Sequence, residues 1–287
     1  MNLSQQERPP ESWPELRMIG RIVTRLREWA GRLVLWASLP PVRRWLRSRW
    51  EGEHDIPPVG LVRFGSLRRL EPISRDWGDD RGGPIDRYYV TSFLERHRED
   101  VHGRVLEIAE DVYATWFGDD RVSRIDILEY EKGEHPRATF VGDLQDAPQL
   151  PSDAFDCVIL TQTLQLIYDL RAAVGTVHRI LRPGGVALVT LPGITPVNRQ
   201  DSESWGNHWC WSFTGLSARR LFEEHFEPEL VEVETFGNVL VAASFLYGLG
   251  RTELSRRELD HKDPDYEMLI TLHARKAGGS SRKGPAT

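Results

Sequence analysis

Three carboxylates, Glu107, Asp126 and Asp143, give the first indication of chemistry in this chain. Each closes or follows a short apolar, β-branched run: RVLEI at 104–108, a second run at 123–128 and a third at 138–141. In an open parallel sheet, ligands bind beyond the carboxyl ends of the strands, so acids at successive strand ends face one crevice. Asp126 lies 19 residues beyond Glu107, close to the ~20-residue offset at which a carboxylate accepts the hydroxyls of a ribose. Asp is also common in turns, but three acids at three consecutive strand ends favour the crevice over simple punctuation.

Other side chains could complete such a site. In the segment 83–89, GPIDRYY, Arg87 can pair with a carboxylate and Tyr88 or Tyr89 can close over a cation through its π face. The plainer reading is a surface helix with Asp86 near its positive end. His208, among Trp205, Trp209 and Trp211, is the candidate general base, with Tyr88 as the second candidate catalytic residue. An aromatic core cluster around a satisfied His is the competing reading. Cys157 lies within an apolar run and reads as a core thiol, and Cys210 has no positioned His partner. No Cys/His cluster has metal-ligand spacing, so no metal is expected.

The elements that would hold these groups can be read from periodicity. Residues 85–98 read as a helix with Pro84 in its first turn. Residues 155–160 and 186–191 read as a fourth and a fifth strand, separated by a helix over 170–181 that Arg182-Pro183-Gly184-Gly185 should stop and turn. Short strands alternating with helix-length segments imply parallel pairing. A further helix at 216–225, capped by Thr214 or Ser217, precedes strands at 230–235 and 267–274, with a helical stretch over 239–249 between them. The last two strands should form an antiparallel edge. The expected fold is therefore α/β, a Rossmann-like, seven-stranded, mostly parallel sheet with helices on both faces, preceded by an N-terminal amphipathic helix.

Composition is that of a soluble protein: 287 residues, 40 % hydrophobic, 28 % charged and a net charge of −6. The charge is uneven. Residues 1–50 hold ten Arg and four Glu with no Lys or Asp, a balance of +6, which leaves −12 for the other 237. An acidic body argues against nucleic acid as a partner. Residues 16–33 place apolar side chains at three- and four-residue spacing opposite a row of Arg, a helix suited to a membrane surface, a partner protein or the body of this chain. Its charges exclude a membrane span and an ordinary secretory signal. We expect three regions: a basic helical extension and linker at 1–58, a main domain at 59–276, and a disordered tail at 277–287.

The order of the motifs resembles that of class I S-adenosylmethionine-dependent methyltransferases, the type 11 small-molecule group in particular. It runs RVLEI, Asp126, Gly142-Asp143, Phe155-Asp156 and LRPGG at 181–185, and the resemblance covers residues 80–195. It implies S-adenosyl-L-methionine as cofactor, with Glu107 and Asp126 on the ribose and Asp143 on the adenine, Ile127 and Leu144 lying beside them. Asp86, Arg87 and Tyr88 would lie at the methionine end, Ala109 in the loop after the first strand, and Thr161 with Gln162 beside the transferred methyl. Two departures stand out. Ala109, Asp111 and Tyr113 occupy the three glycine positions of the family's loop, and Leu166 stands where many relatives carry a base His. The resemblance implies methyl transfer to a small-molecule acceptor, with O-methylation of a sugar, lipid or secondary metabolite preferred. The alternative is a non-catalytic member that docks an enzyme or membrane through residues 16–36. A nucleotide-binding oxidoreductase would need the G-x-G-x-x-G fingerprint that this loop lacks. The expected location is the cytoplasm, peripheral to the membrane if residues 16–36 bind it.

Overall fold

The computed structural model describes residues 57, 59–131, 136–197 and 208–278. The basic helix expected at residues 16–36, the tail from 279 and Trp205 lie outside the described residues. The chain divides into two units between Arg68 and Arg69, and the sheet belongs to the second. No helix of the described residues is long and apolar enough to cross a membrane.

Seven strands form one sheet: β1 (Gly103–Ile108), β2 (Val122–Glu129), β3 (Phe140–Val141), β4 (Phe155–Thr161), β5 (Leu181–Pro192), β6 (Val231–Phe236) and β7 (Leu269–Arg275), in the order β3-β2-β1-β4-β5-β7-β6. The first five pair in parallel, whereas β7 runs antiparallel to both β5 and β6. The expected antiparallel edge is therefore present, with the later strand inserted inside the earlier one.

Alternation along the strands sorts side chains to two faces. Val105, Cys157, Ile159, Val186 and Leu188 pack with helices α1 (Ile85–Arg96), α2 (Val112–Gly118), α5 (Val239–Leu246) and α6 (Arg256–Asp260). Leu106, Val158, Leu160, Ala187 and Val189 pack with α3 (Leu170–Ile180) and α4 (Gly215–Glu223). Cys157, fully buried with its thiol pushed well up by desolvation, is the inert core residue expected. Helices on both faces of a mostly parallel sheet make this the expected Rossmann-like architecture.

Helix starts follow from local hydrogen bonding. Asp169 caps α3 through the Ala172 amide, and Asn238 caps α5 through the Val241 amide. Thr214 and Ser217, read as alternative caps, act together: each side chain accepts from the other's backbone amide, closing a capping box at α4.

Three boundaries differ from the sequence reading. The LRPGG segment does not turn the chain out of the sheet. Leu181 already pairs with Phe155, the register slips, and pairing resumes at Val186 with Cys157, so Gly184 at φ +85° lies in a bulged excursion within β5. β2 extends to Glu129 rather than ending at 128. Finally, α2 is a helix that periodicity did not reveal, because VYATWFG carries no polar face.

Candidate active site

The carboxyl edge of the parallel strands gathers the ends of β1, β2, β3 and β4 together with the start of α1. β1 ends at Ile108, and Ala109, at the first of the three altered glycine positions, adopts φ +67°. Its amide donates to the Leu128 carbonyl at 3.0 Å, continuing the parallel pairing. The left-handed conformation that glycine permits is thus retained by an alanine, at a cost of about 1 kcal/mol.

Glu107 explains how the rest of the loop holds its shape. Its buried carboxylate accepts from the amides of Tyr113 at 3.1 Å and Ala114 at 2.7 Å, the first unpaired donors of α2. Desolvation pushes its pKa up to about 8, against the pull of these two amides. Glu107 therefore anchors the turn from β1 into α2; the ribose contact expected of it is replaced by these backbone bonds. Tyr113, at the third glycine position, packs its ring against Phe117 and edge-on to Trp116 in the α1/α2 core. Asp111 is held by Arg137, at 2.6 Å.

Asp126 is not at the strand end. It pairs with Leu106 in mid-strand, its carboxylate is fully buried, and it accepts from Arg104 Nε at 2.6 Å and an Arg124 guanidinium nitrogen at 2.7 Å. Burial would raise its pKa, but the two guanidinium bonds outweigh it and hold the group below the ordinary value. The Arg104 guanidinium also covers the Phe155 ring, 4.6 Å from its centroid. Asp126 is thus the centre of a structural ion network rather than a ribose ligand. Ile127 is corrected too: its side chain is buried, and its backbone N–H and C=O are both engaged by Thr139.

The acid that ends β2 is Glu129, three residues on. It is buried at the carboxyl edge, one residue beyond the Ile108–Leu128 pair and so level with Ala109, and its carbonyl accepts from the Gly142 amide at 2.8 Å. Glu129 shares the odd-numbered parity of Glu107 and therefore its face of the sheet; Asp126 lies on the other. The sequence held a signal for it, since the run RIDILE continues to 129 before polar residues begin.

Asp143 follows β3 as expected and accepts from the Gln145 backbone and side-chain amides at 3.0 and 2.5 Å. Leu144 beside it is buried in the core on the α3 face. Thr161 ends β4 and pairs with Thr190; Gln162 follows at φ +50° with its amide bonded to the Thr190 carbonyl. At the start of α1, Asp86 and Arg87 lie 3.5 Å apart, and burial raises the Asp86 pKa. Tyr88 departs from expectation. Its hydroxyl donates to Asp260 at 2.6 Å, tying α1 to α6.

His208 is exposed and its ring lies 6.0 Å from that of Tyr130, the residue after Glu129. The segment following it is fastened down: the Cys210 and Trp211 amides both donate to the Gln165 carbonyl, and the Trp211 indole donates to the Ile167 carbonyl at 3.0 Å. His208 is thereby brought to the end of β2. A groove of about 770 Å³ runs between the starts of α3 and α4, lined in part by Tyr168, Trp211, Phe213 and Leu216.

Three buried polar atoms at this edge, Asp86 Oδ1, Gln162 Nε2 and Gln165 Oε1, have no hydrogen-bond partner among the described residues. Two are acceptors and one is a donor. Such atoms cost about 1–3 kcal/mol each when unpaired and fit a ligand that carries both donors and acceptors, as the aminocarboxypropyl and nucleoside parts of S-adenosylmethionine do.

Residues 102–189 match the family model described as "Methyltransferase domain". No curated protein matches the chain. Among solved structures, YcgJ from Bacillus subtilis is 14 % identical, over 67 % of this chain and all of that one, with a TM-score of 0.44. A SAM-dependent methyltransferase from Archaeoglobus fulgidus is 13 % identical over 66 % of this chain and 94 % of its own, with a TM-score of 0.45. Phosphoethanolamine N-methyltransferase 2 of Haemonchus contortus, solved with phosphomonomethylethanolamine and S-adenosylhomocysteine, is 14 % identical over 71 % of this chain and 60 % of that one, at 0.41. At such identities and scores nothing about substrate follows from them.

Three stability measurements follow from these contacts. Ala109→Gly should raise unfolding free energy by about 1 kcal/mol in urea titration, since it removes the left-handed strain. Asp126→Ala should lower it by about 1–3 kcal/mol, because Arg104 and the more exposed Arg124 lose their shared buried acceptor. Glu107 holds a proton when folded that the unfolded chain releases between its ordinary 4.5 and about 8. Stability should fall as pH rises through that window, with a slope up to about 1.4 kcal/mol per pH unit, and level off above it. Glu107→Gln should flatten this slope; an unchanged profile would contradict the assignment.

Proposed function

We propose that this chain, whose residues 102–189 match the family model described as "Methyltransferase domain", is a class I S-adenosylmethionine-dependent methyltransferase that transfers a methyl group to an oxygen of a small-molecule acceptor, a sugar, lipid or secondary metabolite. The domain in this reading extends over residues 59–276. The observation that carries it is the group of unpartnered buried atoms at the carboxyl edge, Asp86 Oδ1, Gln162 Nε2 and Gln165 Oε1, set among the strand-end acids Glu129 and Asp143.

S-adenosylmethionine, when bound, supplies an electrophilic methyl on a sulfonium. The chain's own residues supply the rest. Glu129 is the ribose acceptor, in the place first read for Asp126, and Asp143 receives the adenine amine while Leu144 presents its backbone. Asp86 and Arg87 form a complementary pair for an ammonium and a carboxylate. Thr161 and Gln162 wall the position of the reacting methyl. His208 holds an imidazole at the edge of the site, able to take the proton of an acceptor hydroxyl, and the Tyr168–Trp211 groove receives the acceptor's body. The non-catalytic alternative leans on the altered glycine loop. Against it, Ala109 keeps the glycine conformation and Tyr113 packs into the core beneath the loop.

Titration calorimetry of the full chain with S-adenosylmethionine and S-adenosylhomocysteine tests the reading. One-site binding is expected, and Glu129→Gln or Asp143→Ala should weaken it by roughly tenfold or more, the loss of a hydrogen bond to a charged group. His208→Ala should leave cofactor affinity unchanged and lower turnover of a methyl-labelled assay. No binding of either ligand at millimolar concentration would overturn the proposal.

A further inference from the structure

At the end of the sheet opposite the candidate active site, α1, the single turn after it and β7 bring together His97, Asp100, His273 and Arg275. The sequence held no metal-ligand spacing here, because the two histidines are far apart in the chain and meet only through the fold. His273 Nε2 lies 3.1 Å from Asp100 Oδ2, and His97 Nδ1 lies 3.6 Å from the same oxygen. The two imidazoles stack with centroids 4.7 Å apart and planes inclined by 28°. Arg275 occupies the other carboxylate oxygen, Oδ1, at 2.8 Å, and also donates to the Gly184 carbonyl at 3.0 Å. All three side chains, His97, Asp100 and His273, are partly sheltered, and one ligand atom from each falls within 4.8 Å of the others.

We propose that His97, Asp100 and His273 form a binding site for a divalent transition ion of the zinc class. Two imidazole nitrogens and one carboxylate oxygen are the donor set that borderline ions of this kind take, with tetrahedral geometry and solvent completing the shell. The spacing supports this. Bonds of about 2.0–2.1 Å meeting at tetrahedral angles place ligand atoms about 3.3 Å apart, and the two nitrogen-to-oxygen separations bracket that value. Closing the site requires only that the two imidazole nitrogens draw together, a movement of side-chain rings about their own bonds. Arg275, on the outer oxygen, fixes the carboxylate so that Oδ2 faces the ring nitrogens, as an outer-shell partner does. Binding exchanges the N–H···O contacts for metal bonds, so each imidazole presents a lone pair and keeps its proton on the other nitrogen. The ion would clip the carboxyl end of α1 to β7, far from the methyl-transfer site.

The test is zinc alone, added to the full-length protein freed of metal by chelation. Calorimetry should show one equivalent bound at micromolar concentration or tighter, and thermal denaturation should shift upward with zinc in proportion to ln(1 + [Zn]/Kd). His97→Gln and His273→Gln should each weaken binding by at least roughly tenfold, the scale seen even for outer-shell losses. Cobalt in place of zinc gives a readout on the unaltered protein, the intense visible absorption of a tetrahedral site. Absence of stoichiometric zinc binding below millimolar concentration would overturn the proposal. So would binding that survives in both folded variants, or an octahedral cobalt spectrum if neither variant folds.

Discussion

Everything at the carboxyl edge is referred to one contact, the carboxylate of Glu107 on the first amides of α2. A βα turn that lacks glycines has little freedom to bring a helix start over its strand end. Here the turn is held from below by an acid rather than left to backbone flexibility. Glu107 is the last residue of β1 that pairs with both β2 and β4, so it fixes α2 to the middle of the sheet. The desolvation of that acid opposes its ionisation, which means the anchor acts partly as a neutral group and tolerates being buried.

The two-residue repeat of the strands then separates support from chemistry. Glu107 and Glu129 share one face of β1 and β2, whereas Arg104, Arg124 and Asp126 share the other. A sequence offset of nineteen residues singled out Asp126, and the offset is a sound guide only if the second strand stops where expected. β2 runs on to Glu129, and three residues reverse the face and move the carboxylate by about 10 Å along the strand. Asp126 is acidic for a different reason: two arginines on neighbouring strands need a buried counter-charge.

Much of the fold was legible because its signals are periodic. The strands at 104–108 and 155–160 and the helices α1, α3 and α4 are marked by alternation, by three- and four-residue repeats and by capping residues, and their bounds moved by only one or two positions. Features without periodicity were not legible. The seven residues of α2 are apolar almost throughout, the LRPGG bulge uses the same residues as a true turn, and no local pattern states that β7 lies inside β6. Of the candidate residues, Asp143 and Gln162 follow strand ends and Asp86 and Arg87 begin a helix, as their segments suggested. Gln165 and Tyr130 were not legible, since their importance comes from which backbone crosses above them: Gln165 holds the segment bearing His208, and Tyr130 meets its ring.

The position of β7 between β5 and β6 also sets an order of assembly during synthesis. β5, one of the most buried strands, presents an unpaired edge until a segment some eighty residues later has left the ribosome, and β6 has no neighbour before then. The parallel half, β1 to β5 with α1 to α3, can gather as it emerges, but its growing edge stays open for the intervening time, the state in which sheets are most prone to pair with the wrong chain. Among the groups that border that edge, His273 and Arg275 arrive with β7 itself, so the ion cluster at the far end of the sheet can form only when the last strand has docked.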